Sequence, residues 1–285
     1  MKWAFAISLV WLAWGANAQR VTVISYNIRL DTETDGVNQW GKRFNKVASL
    51  LTQHDPDLLG VQEALHHQLM DLQKQMPRYS VVGVGREDGN EKGEYSAIFF
   101  KRDKFEVISH QTFWLSETPE VPGSKSWDAA ITRIVTMVAL RDKATRHVFL
   151  YANTHFDHIG KQAREKSVEL LKARVNNWLA QVADVTNTHE PAIIISGDFN
   201  AEPSEAPYQR MLDGHHVTLQ DSRPANNTAG TYCGFDVGKM PCRIIDYIFH
   251  SRVLKASGYR VIQDHDGVYY PSDHLPVMVT LTRQQ

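Results

Sequence analysis

Polar residues with chemical capacity sit where the apolar runs of this chain end. Asn27 closes the run VISY, Glu63 closes LLGVQ, and His155 closes FLYANT. Asp198 and Asn200 follow IIISG, Asp246 lies within RIIDYIF, and Asp273-His274 immediately precede LPVMV. Short apolar runs of this kind read as strands, so the side chains are expected at a sheet rim, where loops build sites on a rigid scaffold. Asp198 and Asn200 are two positions apart and on extended backbone would point the same way. Singly, such residues are weak signals, because an Asp or Asn beside a strand usually bonds nearby backbone. Together they match metal-assisted phosphoester hydrolysis. Glu63, Asn27 and Asp273 supply the oxygen ligands that a hard cation such as Mg²⁺ requires, with Mn²⁺ as a substitute. In-line displacement at phosphorus also needs a water, a base and donors for the developing charge. Asp198 is the candidate to orient or deprotonate that water. Asn200 and His155 are candidate donors to phosphoryl oxygens, and Asp246 would hold His274 in one tautomer.

The elements that position these residues follow from hydrophobic periodicity. Strands are expected over Val21–Ile28, Asp57–Glu63, Ser80–Gly85 and Tyr95–Lys101, then over Phe105–Leu115, Thr132–Leu140 and His147–Phe156. Pro191–Asn200, Arg243–Ser251 and His274–Thr282 read as further strands. Trp40, Phe44, Val47, Leu50 and Leu51 step as a helix, as do Val168, Leu171, Val175, Trp178 and Val182 within Lys161–Asp184. Antiparallel-looking neighbours near Ala97–Leu140 argue against a purely parallel sheet. Two sheets packed face to face with helices outside fit this order.

The motifs also carry a resemblance. Ser25-Tyr-Asn-Ile-Arg29, Gln62-Glu63, Asn153-Thr-His155, Gly197-Asp-Phe-Asn200, Ile245-Asp-Tyr-Ile-Phe249 and Ser272-Asp-His274 resemble the ordered motif set of the endonuclease/exonuclease/phosphatase superfamily, the deoxyribonuclease-I-like Mg²⁺ phosphoesterases. The resemblance extends from Val21 to Leu281. It implies a four-layer α/β sandwich with two central, mainly antiparallel β-sheets. It also implies that Glu63 is the principal metal ligand with Asn27 beside it and Asp273 as a further metal-side acid. Asp198 and Asn200 would position water and phosphate, Asp246 and His274 would pair, and His155 would be a second catalytic His. Glu94, in Gly93-Glu-Tyr-Ser-Ala-Ile98, sits where some members pair a Glu with that His; Arg133, in Thr132-Arg-Ile-Val135, resembles a phosphate-contacting Arg.

Composition narrows the partners. The 285 residues are 42% hydrophobic and 22% charged, which excludes a disordered chain. Met1–Ala18 reads as a secretory signal, with Lys2, an apolar run and Ala16-Asn17-Ala18 as the small-x-small cleavage site. That leaves residues 19–285 as one domain, expected to be a soluble monomer in the periplasm, a secretory lumen or the medium. Losing Lys2 leaves 30 Lys and Arg against 32 Asp and Glu. A protein that coats DNA carries a basic surplus, and this one does not. In an oxidising compartment Cys233 and Cys242, nine positions apart across a Gly/Pro loop, favour a local disulfide over two free thiols.

The rim segments Asp31–Trp40, Gly85–Glu94, Trp114–Trp127 and Thr231–Cys242 are of mixed charge. Their aromatics Trp40, Trp114, Trp127, Tyr232 and Phe235 suit bases and sugar rings equally. The expected substrate is therefore a small or glycan- or lipid-linked phosphoester, with a secreted nuclease as the alternative. Two other classes compete. Asn153-Thr-His155-Phe-Asp157-His158 falls one His short of a two-zinc hydrolase motif. A carbohydrate-binding protein on the same scaffold would be expected to lack Asp198, Asn200 or His274, and all three are present.

Overall fold

The computed structural model describes residues 19–186 and 191–284 of the chain. The expected signal segment, Met1–Ala18, lies outside the described residues. The first strands are β1 (Arg20–Asn27), β2 (Leu58–Ala64), β3 (Tyr79–Val82) and β4 (Tyr95–Lys101). They are followed by β5 (Phe105–Trp114), β6 (Ile134–Asp142), β7 (Val148–His155) and β8 (Ala192–Asp198). The last are β9 (Leu219–Asp221), β10 (Asp246–Ser251), β11 (Leu254–Val261) and β12 (Val277–Arg283). Helices α1 (Trp40–His54), α2 (His66–Gln75), α3 (Lys161–Thr186) and α4 (Ala206–Leu212) connect them. One six-stranded sheet runs β11-β12-β1-β2-β4-β3 and the other β5-β6-β7-β8-β10-β9. Both follow one plan: an antiparallel pair, a third antiparallel strand, a parallel step across a helix, then two antiparallel strands. This is the four-layer α/β sandwich, with sheets antiparallel except at β1/β2 and β7/β8.

Alternation along the strands builds the layers. On β6, Val138 and Leu140 face the other sheet, while Val135, Met137 and Ala139 face α3. On β1, Val21 and Val23 enter the inter-sheet core and Ile24 and Tyr26 pack toward α1 and α2. A period of two thus fills cores on both faces, and the helices cover the outer ones. α3 presents Val168, Leu171, Val175, Trp178 and Val182 to its sheet, as the periodicity predicts. Its first turn is held from a distance, because the Asp128 carboxylate accepts from Gln162 N and Ala163 N, satisfying two of the otherwise unpaired N–H groups.

Several boundaries differ from expectation. The strand placed over Ser80–Gly85 is Tyr79–Val82, and the strand expected from Arg243 begins at Asp246. Likewise β12 starts at Val277 rather than His274. In each case the displaced residues belong to the loops that build the site.

Between the sheets, below that site, lies a polar seam. Asn153 Nδ2 donates to the carbonyls of Val61 and Ala97 at 2.9 Å each. Its Oδ1 accepts from Gln62 Nε2 at 2.6 Å and Ser196 Oγ at 3.0 Å. The backbones come so close here that a Cβ on Gly60 would meet Ser196 Oγ at 2.5 Å.

Candidate active site

The loops at one end of the sandwich enclose a pocket of about 470 Å³. Glu63, Glu94, Arg133, His155, Asp198, Asn200, Asp273 and His274 all line it, joined by Arg29, His158, Tyr232 and Arg243. Strand pairing explains the convergence. His155 is in register with Asp198 on the parallel neighbour, and Asp198 with Asp246 on the antiparallel one. Three acidic or basic side chains therefore stand in a row across one sheet. Across the gap, Asn27 is in register with Gln62, and Glu63 follows at a positive φ of 61°. Arg29 (φ 57°) and Asn200 (φ 46°) share this left-handed conformation. Strained backbone of this kind gathers at functional sites, where surrounding contacts hold it.

Two sides of the pocket have distinct character. On the first, Glu63 and Asp273 are carboxylates with side chains 12% exposed, each 3.9 Å from Arg29 Nη1. Arg29 is otherwise committed to Asp35 through Nε and Nη2. Burial pushes the Glu63 carboxyl up, but the charge on His274, the Asn27 hydrogen bond and Arg29 outweigh it and hold the group below its usual range. Burial pushes Asp273 up. Two buried carboxylates with one distant cation between them fit a hard divalent ion. Asn27 does not line the pocket: it is fully buried and its Oδ1 accepts from Arg29 N. Its Nδ2 donates to Glu63 Oε1 at 2.9 Å and to Asp198 Oδ2 at 3.1 Å. In this geometry Asn27 spaces the Glu63 and Asp198 carboxylates, while Glu63 and Asp273 face the pocket.

The second side gathers histidines against carboxylates. His274 Nδ1 lies 2.9 Å from Asp246 Oδ2, and its Nε2 is 3.6 Å from Asp198 Oδ2. Burial lowers the His274 pKa, but the charges of Asp246 and Asp198 outweigh it and hold the ring protonated well above its ordinary range. Burial, and then the Asp246 charge, push Asp198 up to about 7 against the pull of His274. His155 is the opposite case: burial first, then the Arg133 charge, keep it neutral. Its Nε2 is 3.0 Å from Asn200 Nδ2, which also donates to Phe156 O. That carbonyl fixes the amide orientation, so His155 Nε2 accepts and the ring proton sits on Nδ1.

Three expectations are corrected. Asn200 is not on extended backbone; β8 ends at Asp198, and the turn is closed by Asn200 N donating to Asp198 Oδ1. The amide N–H groups expected to serve phosphate are engaged by Phe156 and His155, so the end of Asn200 able to reach a water is its carbonyl. Glu94 does not orient His155, whose buried Nδ1 has no hydrogen-bond partner among the described residues. It pairs instead with Arg86 at 2.6 Å. Asp157, the acid of the zinc-type motif, accepts four backbone N–H bonds from residues 130, 131, 159 and 160. It is a loop anchor, and Asn153 belongs to the inter-sheet seam, so the two-zinc reading fails.

Sequence reasoning missed Arg43, which is 2% exposed. Its guanidinium donates to the carbonyls of Ile28, Arg29 and Pro271, tying the loop after β1 to the one carrying Asp273. A charged residue one turn from Trp40 and Val47, in the apolar stripe of α1, was the available signal.

Cys233 and Cys242 form a disulfide, in a loop so tight that a Cβ on Gly230 would meet Cys242 Cβ at 2.1 Å. The loop forms a wall of the pocket. Tyr232 stands 4.9 Å from the His274 ring, and Cys233 N and Gly234 N both donate to Asp273 O. Replacing both cysteines by Ser should cost at most ~3 kcal/mol of stability and reduce kcat/KM by loosening this wall. Titration of unfolded, unreduced wild type should find no thiol. Two titratable thiols, or full activity in the Ser variant, would contradict the assignment.

Fold and site together present carboxylates, histidines and a buried arginine around one pocket, an arrangement suited to phosphoester hydrolysis. Comparison with known sequences and structures then places the protein. The sequence profile of the Endonuclease/Exonuclease/phosphatase family matches residues 24–274, and the chain belongs to that family. A Bacteroides thetaiotaomicron protein of the same family is 35% identical with a TM-score of 0.84, covering 94% of this chain and 99% of its own. The mannosyl-6-phosphatase of Bacteroides thetaiotaomicron VPI-5482 is 36% identical with a TM-score of 0.81, covering 92% and 99%. Among curated proteins, Nocturnin of Drosophila melanogaster is 23% identical over 61% of this chain. The Ccr4 exoribonuclease subunit of Mycosarcoma maydis is 22% identical over 92%. The chain spans only 26% and 50% of the length of these two relatives.

Proposed function

We propose that the protein is an exported, Mg²⁺-dependent phosphatase acting on a small phosphorylated sugar. The observation that carries this reading is the pocket: its volume of about 470 Å³ is that of a small-molecule site, and its walls are polar and cationic opposite the carboxylate pair. Similarity to the mannosyl-6-phosphatase along 92% of the chain supports the substrate class. Rim acids such as Glu87, Asp88, Glu91, Glu117 and Glu120 work against a long nucleic acid, which is held through many phosphates. Export is proposed from residues 1–18 and agrees with the disulfide. Among the described residues no helix is long and apolar enough to cross a membrane.

The roles follow from the two sides. Glu63 and Asp273 would hold the cation, which when bound would polarise the phosphoryl group and stabilise the leaving oxygen. Asp198 accepts a proton from the attacking water, whose position the Asn200 carbonyl shares. His274 is kept protonated by Asp246 and donates from Nε2 to a phosphoryl oxygen. Arg133 faces the remaining oxygens, and the neutral His155 leaves Asp198 Oδ2, 3.3 Å away, as the acceptor.

Purified mature protein should hydrolyse hexose 6-phosphates with Mg²⁺ and lose activity to a chelator. Glu63→Gln should raise the Mg²⁺ needed for half-maximal rate at least ~10-fold, the usual cost of a removed ligand being of that order or more. Efficient duplex DNA cleavage that falls steeply with salt, with sugar phosphates untouched, would overturn the reading in favour of a secreted nuclease.

A further inference from the structure

We propose that Arg86 is a positioning residue: it occupies Glu94 so that the Arg133 guanidinium stays uncommitted for the substrate's phosphate, favouring a dianionic terminal phosphate over a diester. This rests on the phosphatase reading and adds to it the origin of the charge preference.

Three charged side chains meet at the back of the pocket, where the loop before β4 approaches the one before β6. Arg86 grips Glu94 through both nitrogens, Nη1 to Oε2 at 2.7 Å and Nη2 to Oε1 at 2.6 Å. Arg133 Nη1 stands 3.9 Å from the same carboxylate, beyond hydrogen-bond distance. Arg133 is 5% exposed, yet its Nε and Nη1 have no hydrogen-bond partner among the described residues. Its Nη2 has only a long approach, 3.4 Å, to His158 Nδ1. A buried guanidinium left with donors unmet is costly unless an anion completes it. Arg133 lines the pocket, so the anion it can meet is the one that binds there.

The arrangement of Arg86 is built rather than incidental. Arg86 N donates to Glu94 O, and Trp114 Nε1 donates to Arg86 O at 2.6 Å. The loop therefore presents its guanidinium to Glu94 at a fixed place. With one carboxylate between two guanidiniums, the trio has a net charge of +1, and the partner closer to Glu94 is the one farther from the chemistry. Without Arg86, Glu94 would close on Arg133 and neutralise it. A terminal phosphate has three free oxygens and up to two negative charges, whereas a diester has two and one. The monoester thus gains more from a cation opposite the metal side.

The test uses inorganic phosphate binding by calorimetry alongside kinetics on a hexose 6-phosphate and on bis(p-nitrophenyl) phosphate. Arg86→Gln should weaken phosphate affinity and raise KM for the monoester by about ten- to a hundredfold, the worth of a charge-assisted hydrogen bond. Its kcat and its diester activity should change by less than about threefold. Glu94→Gln should bind phosphate at least as tightly as wild type. The Arg86→Gln/Glu94→Gln double variant should recover wild-type affinity to within about threefold, since nothing then competes for Arg133. A merely structural Arg86 would leave the double variant as impaired as the single one. Unchanged affinity in Arg86→Gln, weakened affinity in Glu94→Gln, or no recovery in the double variant would each overturn the proposal. A wild type that hydrolyses no phosphoester would instead overturn the underlying function.

Discussion

Asp198→Asn should fold normally and lose ~10²–10⁴ of its turnover, the usual worth of a positioned base. The substitution keeps the shape and the hydrogen bond to Asn200 N but removes the proton acceptor between His155 and His274. The pH dependence gives an independent check. The metal-free Asp198 carboxyl sits at about 7 in the folded chain, against an ordinary value near 3.9. The folded state therefore binds an extra proton between those values, and stability is lost as pH rises through that window. Metal-free Asp198→Asn should accordingly melt higher than wild type at pH 8, with the advantage shrinking toward pH 5. In the active protein, kcat/KM should fall on the acid side as Asp198 protonates, with the limb at or below 7 because a bound cation favours the carboxylate. Substantial residual turnover in a correctly folded Asp198→Asn would remove Asp198 from the mechanism.

Asn153→Leu should have the largest effect on stability. The side chain is fully buried and makes four hydrogen bonds, to two carbonyls and from two side chains on both sheets. Leucine has similar bulk but leaves those partners unpaired in a dry interface, each with a desolvation penalty. A loss of about 3–5 kcal/mol is expected, read as a lower urea midpoint at unchanged slope. A loss below about 1 kcal/mol would show that the seam is not a determinant of sheet packing.

Legibility in the sequence tracked burial. Strands such as β7 and β8, buried on both faces, announced themselves as continuous apolar runs, and their polar last residues marked the site. α2 left little trace because it buries only Leu69, Leu72 and Gln68; β11 is an edge strand that buries only Leu254 and carries a central Gly258. α4 and β9 are too short to show a period. In the site, residue identities were legible from motif order, whereas directions were not. Asn200 lies in a left-handed turn rather than a strand, and Glu94 pairs with Arg86 rather than His155, because both depend on loops whose conformation no periodicity encodes. Arg86 was invisible for the same reason.

The shared plan of the two sheets relates the residues at one half of the site to those at the other. Superposing the orders strand for strand makes β1 the counterpart of β7, β2 of β8 and β4 of β10. Asn27 then matches His155, Glu63 matches Asp198, and Glu94, just before β4, matches Asp246 at the start of β10. Asp273 and Arg133 both lie on the connection entering the strand next to that pair. The chain's described ends are neighbours, with Arg283 N donating to Gln19 O at 3.0 Å. Joined there and opened between Ser251 and Leu254, the chain becomes two halves with the same strand order: one carries Glu63, Asp273 and His274 and the other His155, Asp198 and Asp246. The His274–Asp246 hydrogen bond of 2.9 Å thus joins one half to the other inside the pocket, so the site is complete only when both halves are folded together.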